Sequence, residues 1–407
     1  MEAISTHCCV AGGGPAGMLL GFLLARAGVD VFVFEKHADF MRDFRGDTIH
    51  PSTLEIMHEL GMLDDFLRLP HQEARVLGAQ FGDTAATFAD FTHLPTHCKF
   101  LAFMPQWDFL NFIAQRALSY PSFHLRMSAE VTDLIEEGGR IAGARVTTSD
   151  GAFEVRANLV VGADGRGSLV REKAGLKVEE FGAPMDVLWL RLRRMPDDPE
   201  ETAGRIDVGH IFIMINRGNE WQLGFVIPKG TSEQVREQGM PAFRETIIKL
   251  APFLRDRVSE LRDWNEVKLL TVRVDRLSQW YRSGLLCIGD AAHAMSPVGG
   301  VGINLAIQDA VAAANTLAAP LREGRVTDSD LRQVQRRRAL PTRLTQSFQL
   351  AIQNRVIKRT LERRPLASET KKFAPPLMLR LVRRFPAIQR LNARLVGLGF
   401  RPEHVRV

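Results

Sequence analysis

The sequence is poor in the residues that cross-link or decorate a fold, with four cysteines and two tyrosines in 407 residues. The cysteines (Cys8, Cys9, Cys98 and Cys287) make no CxxC and no Cys/His spacing. That argues against a disulfide framework, a redox dithiol and a zinc site, and no metal is expected. Cys8, Cys9 and Cys287 stand in apolar, strand-like runs and read as reduced, buried thiols, which suits a cytosol. No run of about 18 apolar residues is present to span a bilayer. The start, MEAISTHCCVAGGG, has no basic region ahead of its apolar stretch, so no signal peptide is expected and the protein is placed in the cytoplasm. Internal repeats and low-complexity segments are also missing.

What remains is an ordinary globular composition, 45% hydrophobic and 25% charged, in a chain long enough for two or three domains and a large core. The net charge of +6 is unevenly spread: from Leu331 onward there are 19 Lys plus Arg against 3 Asp plus Glu, leaving about −10 for the residues before. A run of one sign usually marks a solvated helical face. No zinc-finger, RNP-type or helix-turn-helix signature accompanies it, so no nucleic-acid partner is expected.

The opening reads strand, turn, helix, strand. HCCVAG is apolar and β-like, GGPAG breaks it, MLLGFLLARAG is helical up to Gly28, and VDVFVFEK forms a second strand up to Glu35. Gly12, Gly14 and Gly17 form G-x-G-x-x-G between strand and helix, with Pro15 and Ala16 inside it. The first glycine permits the tight turn, the second lets a pyrophosphate approach the backbone, and the third lets helix and strand pack closely. The helix N-terminus offers free N–H groups to phosphates. Glu35 is placed to accept hydrogen bonds from ribose hydroxyls, with Lys36 beside it. The pattern alone leaves FAD and NAD open.

Downstream, HPSTLEIMHELG predicts a helix with a Ser or Thr cap, and MPQWDFLNFIAQRAL a second amphipathic helix. The strands over 186–228 alternate enough for a mostly antiparallel sheet with one covered face. After Leu305 the chain reads as helix broken by prolines. Two further strands end in acids, LVVGADGRGSLVR (159–171) and LLCIGDAAHAMSPVGGVGIN (285–304).

With these three stretches, in this order, the chain resembles the class A flavoprotein monooxygenases, the FAD-dependent aromatic hydroxylases of the p-hydroxybenzoate hydroxylase fold. The resemblance runs from about Cys8 to about Leu321. It implies an α/β fold: a discontinuous Rossmann-type FAD-binding domain (1–72, 98–180 and 270–340), a mostly antiparallel substrate domain (73–97 and 181–269) and a C-terminal helical region (341–407). By position, Asp290 would bond the ribityl chain of FAD, and Pro297 would lie beside the flavin ring. Gly299, Gly300 and Gly302 would let backbone pass close to that ring. Ile303 and Asn304 would open a helix aimed at the flavin's pyrimidine edge. Asp164 belongs to the DG motif, and Arg171 is the candidate for the pyrophosphate of NADPH or NADH, unless it merely pairs with a neighbouring acid. Arg45 matches the family arginine near the flavin, and Gln106 a position touching the ribityl or phosphate region. Asp47 and His50 depart from many relatives; they are active-site groups or caps of the helix after Pro51.

The implied reaction uses NADPH or NADH, FAD and O2 to hydroxylate or epoxidise a small aromatic molecule through a flavin C4a-hydroperoxide. Trp189, Arg191, Phe212, Met214, Gln222 and Gly224 sit at alternating positions of the sheet, one set of which faces the flavin; any of the apolar ones also reads as core. His210 is the best placed base, though a lone histidine is commonly structural. Relatives acting on simple phenols often use tyrosines, and neither Tyr120 nor Tyr281 lies in this sheet, which favours a larger, apolar, polycyclic substrate. Leu377, Leu381, Phe385, Ile388, Leu391, Leu395 and Leu398, with arginines between, form a helical stripe. It packs on the protein or lies on an anionic membrane surface, and the first reading is preferred. A monomer or homodimer is expected. EWQLGFVIP resembles the halogenase W-x-W-x-I-P without its second tryptophan. A halogenase, a reductase or a non-catalytic flavin binder on the same fold remain the alternatives.

Overall fold

The computed structural model describes residues 3–41, 48–82, 84–362, 382 and 384–407. Its first layer is built on β1 (Ala3–Ala11), α1 (Pro15–Arg26) and β2 (Val31–Phe34). Helix α1 is buried from Ala16 to Ala25, because it lies between the sheet and two further helices, which explains an apolar sequence with little amphipathic period. After α2 (Pro51–Glu59) come α3 (Gln106–Ala117), β3 (Phe123–Arg126) and β4 (Gly151–Gly162). Strand β1 pairs in parallel with both β4 and β2, and β2 pairs in parallel with β3. Two antiparallel strands, Glu130–Glu137 and Arg140–Thr148, extend the outer half of β4.

The second sheet contains β5 (Met185–Arg193), β6 (His210–Asn216) and β7 (Glu220–Pro228). Its order is 268–270, β5, β7, β6, 203–207, 76–81, 84–90, antiparallel except where 203–207 meets 76–81. Strand β7 is buried at every position from Trp221 to Ile227, as a central strand covered on both faces must be. One face carries Leu188, Leu190, Phe212, Leu223 and Phe225 against Phe243 and Ile247 of α4 (Gly239–Leu250).

The chain then returns to the first sheet: β8 (Leu285–Cys287) pairs in parallel with β4 and leads into α5 (Gly302–Arg322). Helix α6 (Asp328–Ile352) comes next. Prolines do not break these helices as expected: Pro320 and Pro341 lie inside them. The break falls between them, where Gly324 turns at φ +67° and Thr327 with Asp330 caps α6 in a reciprocal capping box. The last helix, α7 (Pro386–Gly397), packs Ala393 into an apolar cluster with Phe91, Leu94 and Ile215, so this helix folds onto the protein; of the expected stripe Leu398 joins that cluster, Phe385 and Leu391 are exposed, and Leu377 and Leu381 lie outside the described residues. No helix among the described residues is long and apolar enough to cross a membrane.

The basic tail is also less solvated than its charge suggests. Arg338 is fully buried and bonds Asp309 of α5 at 2.9 Å and Glu403 at 3.3 Å. Arg337 holds Glu403 through two nitrogens at 2.8–3.0 Å. His404 and the Val405 amide bond the carboxylate of Glu59 on α2. Residues 401–406 therefore form a strap across α5, α6 and α2.

Candidate active site

Three glycines stand after β1, and the structure assigns them different duties. A Cβ on Gly12 (φ +104°) would sit 2.4 Å from the carbonyl oxygen of Ala163, and one on Gly17 would sit 2.0 Å from that of Gly12. Both are needed by the fold itself. Gly14 has ordinary extended angles, φ −74° and ψ −177°, and a Cβ there would meet nothing within 4 Å. Nothing among the described residues requires glycine at that point, so the open space in front of it fits a ligand that approaches the backbone. Gly14 caps α1 without a side-chain bond and Pro15 opens the helix, leaving the first N–H groups to such a ligand. Ala16 is buried and faces Gly289 across the fold.

Glu35 lies just after β2 and is buried; it accepts the Gly13 amide at 2.9 Å, the His37 amide at 3.1 Å and the His37 imidazole. The carboxylate thus holds the glycine turn as well as lining it. Lys36 points outward, 3.9 Å from Glu130.

Two loops end β4 and β8 side by side. Asp164 accepts the Val170 amide at 3.1 Å through Oδ2, while its buried Oδ1 has no hydrogen-bond partner among the described residues. Burial pushes its carboxyl above the usual range. A buried, unpartnered acceptor at a strand end fits a ligand hydroxyl. Arg166 joins this loop to the next, its Nε 3.0 Å from Asp290 Oδ2, with both side chains about 30% exposed. Arg171 differs from expectation: its side chain turns inward to Asp275 and the Ala291 carbonyl, both at 3.4 Å, and to the Arg166 carbonyl. At 11% exposure it holds the two loops together and does not face a passing dinucleotide. Arg166 holds the exposed place instead, and the D-G-R-G run carried the signal for it.

Beneath Asp290, Asp309 accepts the Gly289 amide at 3.1 Å and His293 Nε2 at 2.6 Å. Burial alone would raise its pKa, but His293 and Arg338 outweigh that and hold it below the usual range.

The loop after β8 passes Pro297, turns at Gly299 and Gly300 (φ +79° and +61°) and enters α5 at Gly302. Ile303 is buried. Asn304 is turned away from the space in front of the helix: its carboxamide accepts the His50 amide and the Thr53 hydroxyl at 2.8 Å each and donates to the carbonyls of Thr48 and Gly300. His50, not Ser52 or Thr53, is the N-cap of α2, with Pro51 at the first helical position. Gln106 opens α3 and is half-buried. Arg45 and Asp47 lie outside the described residues.

Strand register divides the sheet residues. Trp189 and Ile213 both stand opposite Gly224, and Arg191 and Ile215 both stand opposite Gln222; these six share a face. Trp189 and Ile213 pack in one cluster with Val298 of the loop, so this face looks toward the 297–300 turn. A Cβ on Gly224 would reach the Trp189 ring at 3.0 Å. Phe212 and Met214 point the other way, into the core under α4, and are not pocket residues. His210 shares that rear face: its ring sits edge-on to Phe225 and its Nδ1 donates to the Val208 carbonyl at 2.9 Å, so it is no base for chemistry at the loop. Ile213 and Ile215 take their places, with Phe103 and, from the tail, Ala393 and Val396. A cleft of about 810 Å³ opens at the far end, lined among others by Trp107, Arg191, Arg217 and Gln222.

Comparison with known proteins agrees with this geometry. A family model described as "FAD binding domain" matches residues 5–347. The chain is 33% identical over 341 residues to 6-methylpretetramide 4-monooxygenase of Streptomyces rimosus, covering 83% of this chain and 81% of that one. It is 28% identical over 339 residues to dialkyldecalin synthase of Streptomyces rugosporus, covering 78% and 66% respectively. Among solved structures, p-nitrophenol 4-monooxygenase PnpA of Pseudomonas putida DLL-E4 superposes with a TM-score of 0.78 at 20% identity, over 98% of this chain and 100% of that one.

Proposed function

We infer the reaction from one premise: the chain belongs to the FAD-binding-domain family of flavoprotein monooxygenases. FAD is its cofactor, and when bound it supplies the reductive activation of O2. We propose that NADPH or NADH is the reductant and that the product is a hydroxylated, apolar, polycyclic aromatic molecule. The division into an FAD-binding domain (1–72, 98–180, 270–340) and a substrate domain (73–97, 181–269) belongs to the same proposal.

In this reading Gly14 and the start of α1 receive the pyrophosphate, and Glu35 the adenosine ribose. Asp290 takes the ribityl hydroxyls, and the free Oδ1 of Asp164 accepts another hydroxyl of the same ligand. The turn at Gly299 and Gly300 brings backbone N–H groups, rather than side chains, against the flavin ring. Substrate lies between that turn and the Trp189–Ile213–Ile215 face. The side chains named there exclude water and orient an aromatic ring by apolar contact; Gln222 and Arg191 mark the end where a polar substituent points.

The observation that carries the substrate class is the make-up of this face: two isoleucines, a tryptophan and a glycine nearest the turn, Arg191 and Gln222 at one end, and neither of the chain's two tyrosines. A protein that deprotonates a small phenol needs a positioned base there. The nature of the first relative's substrate, a methylpretetramide by name, supports the reading. The synthase among the relatives shows that proteins of this family are not all named as oxygenases, so turnover must be measured. The test is oxygen uptake by FAD-loaded protein with NADPH or NADH, over a panel from small phenols to fused-ring quinones. A fused-ring compound gaining 16 mass units supports the proposal. Oxygenation of small phenols alone, or no uptake with any fused-ring compound, refutes it.

A further inference from the structure

His50 is one of the residues that the cofactor reading leaves without a task, and its surroundings give it one. It is 1% exposed and stands where three parts of the chain meet. Its amide donates to Asn304 Oδ1 at 2.8 Å, and the same carboxamide holds the Gly300 carbonyl at 3.2 Å and the Thr48 carbonyl at 2.9 Å. Its Nδ1 donates to the carbonyl of Val396, in helix α7, at 2.7 Å. Its other ring nitrogen, Nε2, is buried and has no hydrogen-bond partner among the described residues. One residue therefore bonds the start of α5 and the tail helix directly, and reaches the glycine turn through Asn304.

The tail helix is not a bystander. Ala393, Val396 and Leu398 belong to one apolar cluster with Trp189, Ile213, Ile215 and Phe103, so α7 forms a side wall of the chamber over the sheet. It is fastened to the sheet side by Asn392, which donates to the Phe88 carbonyl at 2.9 Å. Gly397 seats it closely, since a Cβ there would meet Leu94 at 3.0 Å. Beyond the helix, the strap at 403–405 is tied to α5, α6 and α2, away from the glycine turn. The bond from His50 is a direct hydrogen-bonded link from α7 to the residues that carry the turn, beside the apolar path through Trp189 and Ile213, which pack with α7 on one side and Val298 on the other.

We propose that His50 is a positioning residue that couples FAD occupancy at the Gly299–Gly300 turn to helix α7, so that a bound cofactor firms the wall of the substrate chamber. The coupling is a free-energy linkage between two segments that do not touch the same ligand, and such linkages commonly amount to fivefold or more in an equilibrium. It rests on the chamber reading only for its meaning; the measurement needs neither substrate nor turnover, so its outcome is independent of the oxygenation assay.

The experiment is amide hydrogen exchange on the full chain, apo and FAD-loaded, monitoring residues 298–303 and 388–397. In the native protein FAD should slow exchange about fivefold or more in both segments. In His50→Leu the first segment should still respond and the second should lose its response. Should that variant not fold, His50→Asn and His50→Gln decide, because asparagine places a donor where Nδ1 stood and glutamine does not. Asparagine should keep the response of α7 and glutamine should lose it. An α7 that ignores FAD in the native protein, or that responds equally in every variant, overturns the proposal. So does a change confined to the first turn of α2, which is what a mere helix cap would produce.

Discussion

The division of labour among the glycines after β1 allows a test that separates fold from ligand. Gly14→Ala adds a methyl group at a backbone geometry any residue adopts, into space with no atom within 4 Å. For the apo protein two small terms oppose each other. Removing a glycine from the unfolded chain stabilises by about 0.4–1 kcal/mol, while alanine is a poorer N-cap than glycine by roughly 1 kcal/mol. The melting temperature of the apo protein should barely move. With FAD the methyl group meets the pyrophosphate, and overpacking of this kind costs about 1–3 kcal/mol, or about 5- to 150-fold in Kd. Gly17→Ala is the contrast, because its Cβ would lie 2.0 Å from the Gly12 carbonyl oxygen, so it should destabilise the apo protein outright. Thermal melts of the deflavinated proteins and flavin-fluorescence titrations read the two effects. Equal loss of apo stability in both variants, or an unchanged FAD Kd in Gly14→Ala, would refute the reasoning.

The same geometry sets other expectations. Phe212→Ala should cost about 3–5 kcal/mol in denaturant unfolding, as a large core deletion does. Gly224→Ala should cost little stability yet weaken binding of a fused-ring aromatic, because its Cβ displaces the Trp189 ring; ligand titration of the FAD-loaded protein checks it. His210→Ala should leave turnover within about twofold, whereas loss of a true general base would cost about 100-fold or more; steady-state rates decide. Arg338→Met should lower stability by about 3–5 kcal/mol by leaving Asp309 and Glu403 buried without their partner. Asp309 is held below its ordinary pKa of 3.8, so its contribution is present above about pH 4 and is lost as pH falls through the lower folded value. In Asp309→Asn that acid-side decline should shrink while stability at neutral pH drops, as acid-unfolding curves will show.

Most of the strand-end loops proposed for the cofactor were legible in the sequence because their signals are local. Gly12, Glu35, Asp164 and Asp290 each sit just after a strand, with Gly17 in the first turn of the helix that follows β1, and a strand of buried residues announces itself within six or seven positions. The sheet was legible as a sheet but not by face. Alternation says that Trp189 and Arg191 point together, and that Phe212 and Met214 do; only the pairing of β5, β7 and β6 says that these two sets point apart. Arg171 and Arg338 were opaque for another reason. An arginine in a polar run looks solvated until the partner is known, and Asp275 and Glu403 are 104 and 65 residues away. His50 and Val396, 346 residues apart, present the same difficulty at its extreme. Pro341 misled because proline's cost to a helix is set by what else the helix packs against.

The strap over α2 has a consequence in time. Val405 reaches Glu59 across 346 positions, and at a synthesis rate of about 5–20 residues per second roughly 20–70 seconds separate the two on the ribosome. Through that interval the end of α2 waits without His404 and Val405, while the Thr48–Thr53 segment is gathered earlier, once Asn304 is made. The nascent chain can close its first sheet around β1 only after β4 arrives, and can tie α2, α5 and α6 together only when residues 401–406 are made. A protein so arranged sets its strap late, and the order of its translation, as much as its stability, governs when α2, α5 and α6 are finally tied to one another.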